Sequence, residues 1–412
     1  MTALADRYDC FLLDLDGVLY RADDPIAGAG DVTAWLREQG KRLAFVTNNS
    51  SKTPQQVADK LDRMGIEASP GEVVTSALST ASLLARWGVR RAYVIGETGI
   101  RSALEDAGIE IVDGGADHAD AVVVGWDRGV TYDRLREAAL LVQRGARLVA
   151  TNGDASYPAP DGKWPGAGAI LAAITTTIGR PADAEVGKPH RPLFESALEQ
   201  AGGGRPLVVG DRIDTDIAGA AALGWDSLLV LTGVATPADL VRARHLPTHV
   251  ARDLSALTQA APPSVRPAAV ADVEAIERLL RMSGLDAEDV PDRLLETLVA
   301  ATESGEVVGT CALELFDSIA HLRSLAVDPS TRRAQVGMAL CAHATRAAAD
   351  RGAEKVFGVT EGATGFFEAL GFERTGTRET LPGPIAETPL IRDRCTDQAV
   401  VFRLDLSGPA GD

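Results

Sequence analysis

The chain has 412 residues, more than one hydrophobic core ordinarily supports, so two or three domains are expected. It carries 58 acidic and 41 basic residues, a net charge of −17. Divided at residue 263 the counts are 34 and 26, then 24 and 15, so the parts carry −8 and −9; neither is a basic arm, and nucleic acid and anionic membrane are excluded as expected partners.

Apolar residues make up 45% and charged residues 24%, ordinary values for a globular protein. No apolar run approaches the roughly 18 residues of a membrane span. Met1–Asp9 lacks the basic stretch and apolar segment of a signal peptide. Cys10, Cys311, Cys341 and Cys395 show no C-x-x-C spacing, so a reduced, cytoplasmic protein is expected.

In chain order, Tyr8–Asp14 reads as a buried strand, 30–39 as a helix and 42–47 as a second strand. Strand, helix, strand in so short a span is a βαβ unit and implies a parallel sheet. Further strands are read at 91–95, 121–125, 147–151, 206–210 and 227–231, with helices between them. Ala260-Ala-Pro-Pro-Ser264 reads as a linker, because two prolines end any helix there. Beyond it a helix is read at 272–282, an antiparallel strand pair at 306–315 and 319–327, a helix at 337–349 and a strand at 355–360. This last part is a smaller α+β domain. All five Trp and all five Tyr lie before residue 226.

Asp14-Leu-Asp16-Gly17 stands at the C-terminal end of the first strand, where open parallel sheets bind ligands. Residues i and i+2 of an extended chain point the same way, so both carboxylates can face one substrate. Such a pair suits Mg²⁺, a nucleophile attacking phosphorus and an acid protonating the leaving oxygen. Taken alone it also fits a solvated turn. Three further pieces follow in order. Thr47-Asn48-Asn49-Ser50 ends the second strand and offers a hydroxyl and amides to a phosphoryl group. Lys188, in Gly187-Lys-Pro189, is one of only six lysines and supplies a point charge. Asp211, Asp214 and Asp216 follow the strand at 206–210 and add carboxylates at its end. Each again has a plain alternative: a cap for Thr47, a surface charge for Lys188, a turn for Asp211.

Together, Asp14–Val18, Val46–Ser50, Val186–Pro189 and Val209–Ile217 resemble the four motifs of the haloacid-dehalogenase (HAD) superfamily, most closely its NagD-like and p-nitrophenylphosphatase-like branch. The resemblance covers about 1–260. It implies a Rossmann-like α/β core over 1–78 and 185–260, an inserted α/β cap over 79–184 that sets substrate specificity, and a linker at 261–264. It implies a phosphomonoesterase acting on a small phosphate ester. Asp14 is then the nucleophile that becomes an aspartyl-phosphate, and Asp16 the general acid and later the base. Mg²⁺ is held by Asp14, Asp211 and the backbone carbonyl of Asp16. Thr47, Asn48, Asn49 and Lys188 hold the phosphoryl group, with Asp216, and secondarily Asp214, in support. Tyr157 falls in the specificity loop, where it either contacts the leaving group or packs as a core aromatic. The missing cation cluster there favours glycerol 3-phosphate over phosphoglycolate. The branch also implies a homodimer.

In the C-terminal domain Ser324–Val327, a loop and a helix start at Gly337 form a strand, exposed amides and a helix N-terminus, an anion site for a pyrophosphate or a plain connection. The pattern resembles the GNAT acetyltransferases over about 265–406, an α+β fold. By that resemblance Val327, Arg332, Arg333, Gln335, Val336 and Gly337 bind acetyl-CoA, and Thr364–Phe372 is the closing helix and strand. The tail at 388–402 is similar to small GNATs that acetylate amino acids and arsinothricin. Two departures stand out. Gln335 replaces the first loop glycine, and the domain has no tyrosine to serve as general acid. Cys341 and Glu314 are the substitutes on offer. The domain is therefore either an acetyl-CoA-dependent N-acetyltransferase, in which case this is the main activity of a bifunctional enzyme, or a non-catalytic interaction or regulatory module. His245 and His249, with Pro247 between them, read as surface residues rather than metal ligands.

Overall fold

Cys10-Phe-Leu-Leu13 is apolar at every position because both faces of its strand are covered, as a parallel sheet requires. The computed structural model describes residues 2–112, 114–159, 161–331, 335–396 and 398–406. It divides into two bodies, Ala5–Gly210 with Ala218–Ser227, and Met1–Leu4 with Asp211–Ile217 and Leu228–Asp412.

The first body begins with β1 (Cys10–Leu13), α1 (Ala29–Glu38), β2 (Arg42–Thr47), α2 (Pro54–Arg63) and β3 (Val73–Thr75). Then come α3 (Ser76–Arg86), β4 (Arg91–Ile95), α4 (Thr98–Asp106), β5 (Glu110–Val112), β6 (Ala121–Val124), α5 (Tyr132–Gln143) and β7 (Arg147–Ala150). A two-stranded ribbon of β8 (Ser156–Ala159) and β9 (Gly162–Pro165), α6 (Ala167–Ile178), β10 (Ala184–Glu185), α7 (Arg191–Gln200), β11 (Pro206–Gly210) and α8 (Ala218–Leu223) complete it.

Two parallel sheets result. The order β11-β1-β2-β3 forms one, with Leu13 opposite both Val209 and Phe45. The other runs β10-β7-β6-β4-β5 and has its own apolar cores, one built on Val122, Val124, Leu141 and Leu148 and one on Val94, Ile100, Leu104 and Val123. Helix starts are fixed locally. Thr53 and Gln56 cap α2 reciprocally, and Thr75 accepts from Leu78 N–H at the head of α3.

The second body contains β12 (Asp226–Val230) from Leu228 on, α9 (Pro237–Val241) and β13 (His249–Ala251), with β12 and β13 parallel. A seven-stranded sheet follows, made of β14 (Ser264–Pro267), β15 (Thr297–Ala301), β16 (Val307–Phe316), β17 (Ile319–Val327), β18 (Lys355–Thr360), β19 (Glu373–Thr377) and β20 (Val400–Asp405). Its order is β14-β15-β16-β17-β18-β20-β19. All neighbours are antiparallel except β17 and β18, whose pairing stops at Leu322 and Gly358. Beyond that point the two strands part and a cleft opens. Helices α10 (Val273–Met282), α11 (Val336–Asp350) and α12 (Thr364–Ala369) pack around the sheet.

Two expectations need amending here. Ser264, read as linker, is the first residue of β14, since the chain pairs with β15 directly after Pro263. His249 is 5% exposed, because it opens β13 and is covered there, so it is not a surface residue.

Candidate functional site

The first body's site grows from the C-terminal end of β1. Asp14 N–H donates to Val209 O (2.9 Å), which extends the β1–β11 pairing by one residue. The tight turn that follows is closed by Gly17 N–H to Tyr20 O (2.7 Å), with Gly17 at φ 82°, a conformation that favours glycine. Lys188 Nζ lies 2.5 Å from Asp14 Oδ1, and both side chains are largely buried. A buried pair this close is held by mutual charge compensation. Part of Asp16 faces solvent. The protein around it nevertheless raises its carboxyl above the usual range by desolvation, against the lowering effects of Lys60 and of the Ala22 and Gly17 N–H groups. That direction suits a group that must hold a proton before giving it up.

Thr47 ends β2, and its Oγ1 accepts from Asn49 N–H (3.1 Å). The two asparagines after it are committed to the scaffold. Asn49 Oδ1 accepts from Ser51 N–H and Oγ, each at 2.8 Å. Asn48 Oδ1 accepts from Lys188 N–H (2.7 Å), while its Nδ2 donates to Lys188 O (3.1 Å) and to Asp154 Oδ2 (3.0 Å). Asn48 thus ties the loop after β2 to the lysine loop and to the loop after β7. Gly187 is required at this junction, since a Cβ there would stand 2.6 Å from Asn48 Oδ1 and 2.7 Å from Thr151 O. Sequence reasoning gave Asn48 to the phosphoryl group and missed Asp154. The Asn152-Gly-Asp154 run was the available signal, and its partner 106 residues away could not be read from one chain.

Tyr157, on β8, is 37% exposed and stacks on Trp126 with ring centroids 4.3 Å apart and planes 20° apart. It is therefore a partly open aromatic rather than a core one.

In the second body Asp211, the residue after β11, is 2% exposed. Its Oδ2 accepts from Val234 N–H (2.6 Å) and its carbonyl from Ala235 N–H (3.0 Å). Gly233 makes the approach possible, because a Cβ there would fall 1.9 Å from Asp211 Oδ2. That glycine was not singled out from the sequence; its place just past a strand end was the only hint. Ile213–Ile217 forms one π-helical turn, and Asp216, 1% exposed, accepts from Arg212 N–H (3.2 Å). Asp214 points elsewhere. Its carboxylate takes both Arg212 Nε (3.1 Å) and the terminal guanidinium nitrogen (2.6 Å), and that pairing holds it below its ordinary range against the desolvation its neighbours impose.

The cleft between β17 and β18 holds a cavity of 1290 Å³ lined in part by Val327, Gln335, Val336, Gly337 and His321. Arg332 and Arg333 lie outside the described residues. Gln335 heads α11 with φ 58°, so the position does demand a left-handed backbone and a non-glycine residue bears it. Neither substitute for the missing tyrosine is fit to donate a proton. Cys341 is fully buried and so out of contact with any substrate, and that burial pushes its thiol well above its ordinary value. Burial alone would raise the Glu314 carboxyl, but His321 and Arg323 hold it at about 2. Arg323 reaches Glu314 at 2.7 Å and Asp289 at 2.8 Å, and Arg293 reaches Glu314 at 2.7 Å.

Comparison with known proteins gives matches that run across the division between these bodies. A model described as haloacid dehalogenase-like hydrolase matches residues 11–110, and a related HAD-hydrolase-like model matches 185–257. An acid sugar phosphatase of Staphylococcus aureus is 40% identical over 252 residues, which span 60% of this chain and 96% of the relative. The chain belongs to the haloacid dehalogenase-like hydrolases. Within them it is a phosphatase, a phosphoric monoester hydrolase of the NagD-like kind. A 4-nitrophenylphosphatase of Thermotoga maritima shares 36% identity over 62% of this chain and 98% of its own, with a TM-score of 0.59. A glycerol phosphate phosphatase of Mycobacterium tuberculosis, solved with magnesium, is 29% identical and covers 90% of this chain and 99% of its own, with a TM-score of 0.68. The phosphatase carries a further domain, since a GNAT acetyltransferase model matches residues 295–374. Among the described residues no helix is long and apolar enough to cross a membrane.

Proposed function

We propose that this phosphatase hydrolyses a small phosphomonoester, glycerol 3-phosphate first among them, through an aspartyl-phosphate on Asp14. The observation that carries the reading is the buried Asp14–Lys188 pair at the end of β1, with Asp16 two residues further along the turn. The choice of ester rests on the Mycobacterium tuberculosis neighbour, which resembles this chain through the C-terminal domain as well.

In this reading an Asp14 carboxylate oxygen attacks phosphorus and the bond to the leaving oxygen breaks. Asp16 gives that oxygen its proton, then takes one from the water that attacks the phosphoenzyme, freeing phosphate and Asp14. The Thr47 hydroxyl and the Lys188 ammonium hold the phosphoryl oxygens. Asp16, being raised by its surroundings, is suited to start protonated. The carboxylates of Asp14 and Asp211 and the carbonyl of Asp16 are the residues that would hold Mg²⁺, with Asp216 in support. All are hard oxygen donors, and Asp211 is buried with one oxygen anchored by Val234 N–H, which fits a small octahedral cation. When bound, Mg²⁺ supplies positive charge for the phosphoryl oxygens. A cytoplasmic setting belongs to the same reading and fits the four free cysteines.

For the C-terminal domain the chemistry of Cys341 and Glu314 favours a non-catalytic module over an acetyltransferase. Acetyl-CoA titrated calorimetrically into the intact protein, followed by an assay for CoA release with amines, separates a silent domain, a binding one and an active one.

The phosphatase reading is tested by chelation and trapping. EDTA is expected to stop p-nitrophenyl phosphate hydrolysis and added Mg²⁺ to restore it. Acid quenching during turnover is expected to leave phosphate on the peptide that contains Asp14. Phosphate found on another residue overturns the reading.

A further inference from the structure

The β8–β9 ribbon is rooted without slack. Gly166 N–H donates to Ala155 O (3.0 Å) and Gly168 N–H to Asp154 O (2.9 Å). A Cβ at Gly166 would stand 2.2 Å from Asp154 O, and one at Gly168 2.2 Å from Gly153 O, so the two chain segments touch backbone to backbone. Asp154 at that root is bonded to Asn48. Through Asn48 that root reaches the Lys188 N–H (2.7 Å), and Lys188 Nζ pairs with Asp14, so Tyr157 stands three residues from a root tied to the reacting group. The ribbon's aromatic is therefore delivered to the neighbourhood of the reacting carboxylates.

What keeps Tyr157 there comes from two other segments. Trp126, just beyond β6, stacks on one face of the ring, and its Nε1 donates to Pro165 O at the end of the ribbon (3.0 Å). Arg128 lies over the Trp126 ring, 5.2 Å from its centre. Its guanidinium is fixed by both oxygens of Glu97 (2.7 and 3.1 Å), the residue before α4. Glu97, Arg128, Trp126 and Tyr157 thus form one continuous stack, starting from an ion pair and ending on an open ring.

Resting on the reading that Tyr157 meets the leaving group, we propose that Trp126, Arg128 and Glu97 are positioning residues for leaving-group specificity, and that the group they favour is an uncharged polyol. The stack itself argues for that class. Rings 4.3 Å apart are already in contact, so no planar group enters between Trp126 and Tyr157. Arg128 spends its charge on Glu97 and does not recruit a second anion on the substrate. Tyr157 is left offering one apolar face and a hydroxyl, which matches a short chain with C–H on one side and O–H on the other.

The test compares glycerol 3-phosphate with p-nitrophenyl phosphate on the intact protein. Trp126→Ala and Arg128→Met are expected to lower the ratio of the two kcat/KM values by about tenfold, through a raised KM for glycerol 3-phosphate, and Trp126→Phe to recover most of it. Tyr157→Ala is expected to shift the ratio in the same direction. A ratio within about twofold of wild type in Trp126→Ala and Arg128→Met, while Tyr157→Ala changes it, overturns the positioning role alone. An unchanged ratio in Tyr157→Ala overturns the reading beneath it as well. Should Trp126→Ala fail to fold, Arg128→Met still decides, since a general loss of structure lowers both kcat/KM values together.

Discussion

Single side chains set the chemistry of both bodies. Asp14 and Asp16 are two residues apart, yet only Asp14 is in a close ion pair, with Lys188. On the proposed roles, Asp16→Asn costs about 10²–10⁴-fold on an alkyl phosphate, and less on p-nitrophenyl phosphate, whose leaving group needs no proton. Equal losses on both esters, measured as kcat/KM, which excludes the later hydrolysis of the phosphoenzyme, would contradict the assignment of Asp16 as acid. In the other body Glu314 is the group to watch. Its ordinary value is 4.5 and the folded protein holds it at about 2, so its contribution to stability is complete above pH 4.5 and is lost as the pH falls toward 2. The span corresponds to about 3 kcal/mol. Glu314→Gln should cost about 3–5 kcal/mol at pH 7, because Arg323 is left buried without its main partner. Urea unfolding followed by far-UV circular dichroism at pH 7 and from about pH 4.5 down to about pH 2.5 measures both effects, and fluorescence would not, since this domain has neither Trp nor Tyr.

Elements show what could be read in advance. β1, β2 and β11 were legible because each is a short, largely apolar run, and the motif residues sit at their ends. The three-residue strands β3 and β5 and the β8–β9 ribbon were not, being too short or too polar to show a period. Lys188, Asp14 and Asp211 could be named from order and spacing, whereas the Asn48–Asp154 tie and the Trp126–Tyr157 stack depend on contacts between distant segments. At α11 the sequence raised a conditional question, and the φ of Gln335 answers it. A non-glycine residue in that region costs about 1–2 kcal/mol, so Gln335→Gly should stabilise the protein by about 1 kcal/mol in chemical denaturation, and a loss of stability would mean that the side chain earns its place. Farther along the same helix Thr345 Oγ1 donates to Val241 O at the end of α9 (2.6 Å). Thr345→Val leaves that buried carbonyl without its donor and should cost about 1–3 kcal/mol, with Thr345→Ser close to wild type.

At the scale of the molecule, the C-terminal domain shares its core with the chain that precedes it. Leu229, Leu240, Val241 and Val250 belong to the same apolar cluster as Val336, Leu340, Cys341 and Ala344. A chain ending at residue 263 should therefore unfold at least about 5 °C below the full protein in a thermal scan, because that apolar surface is returned to water. The net charge of −17 also takes on a specific meaning. On the proposed reading, a single phosphate ester would be held by local cations and hydrogen-bond donors, Lys188 foremost, within an acidic chain that offers polyanions no basic face. The central claim is that Asp14 is the nucleophile, and it is tested most directly by the initial rate of p-nitrophenyl phosphate hydrolysis by Asp14→Asn with Mg²⁺ present. The account predicts a folded protein whose rate is reduced by at least about 10³-fold. A rate equal to that of the wild type would contradict it.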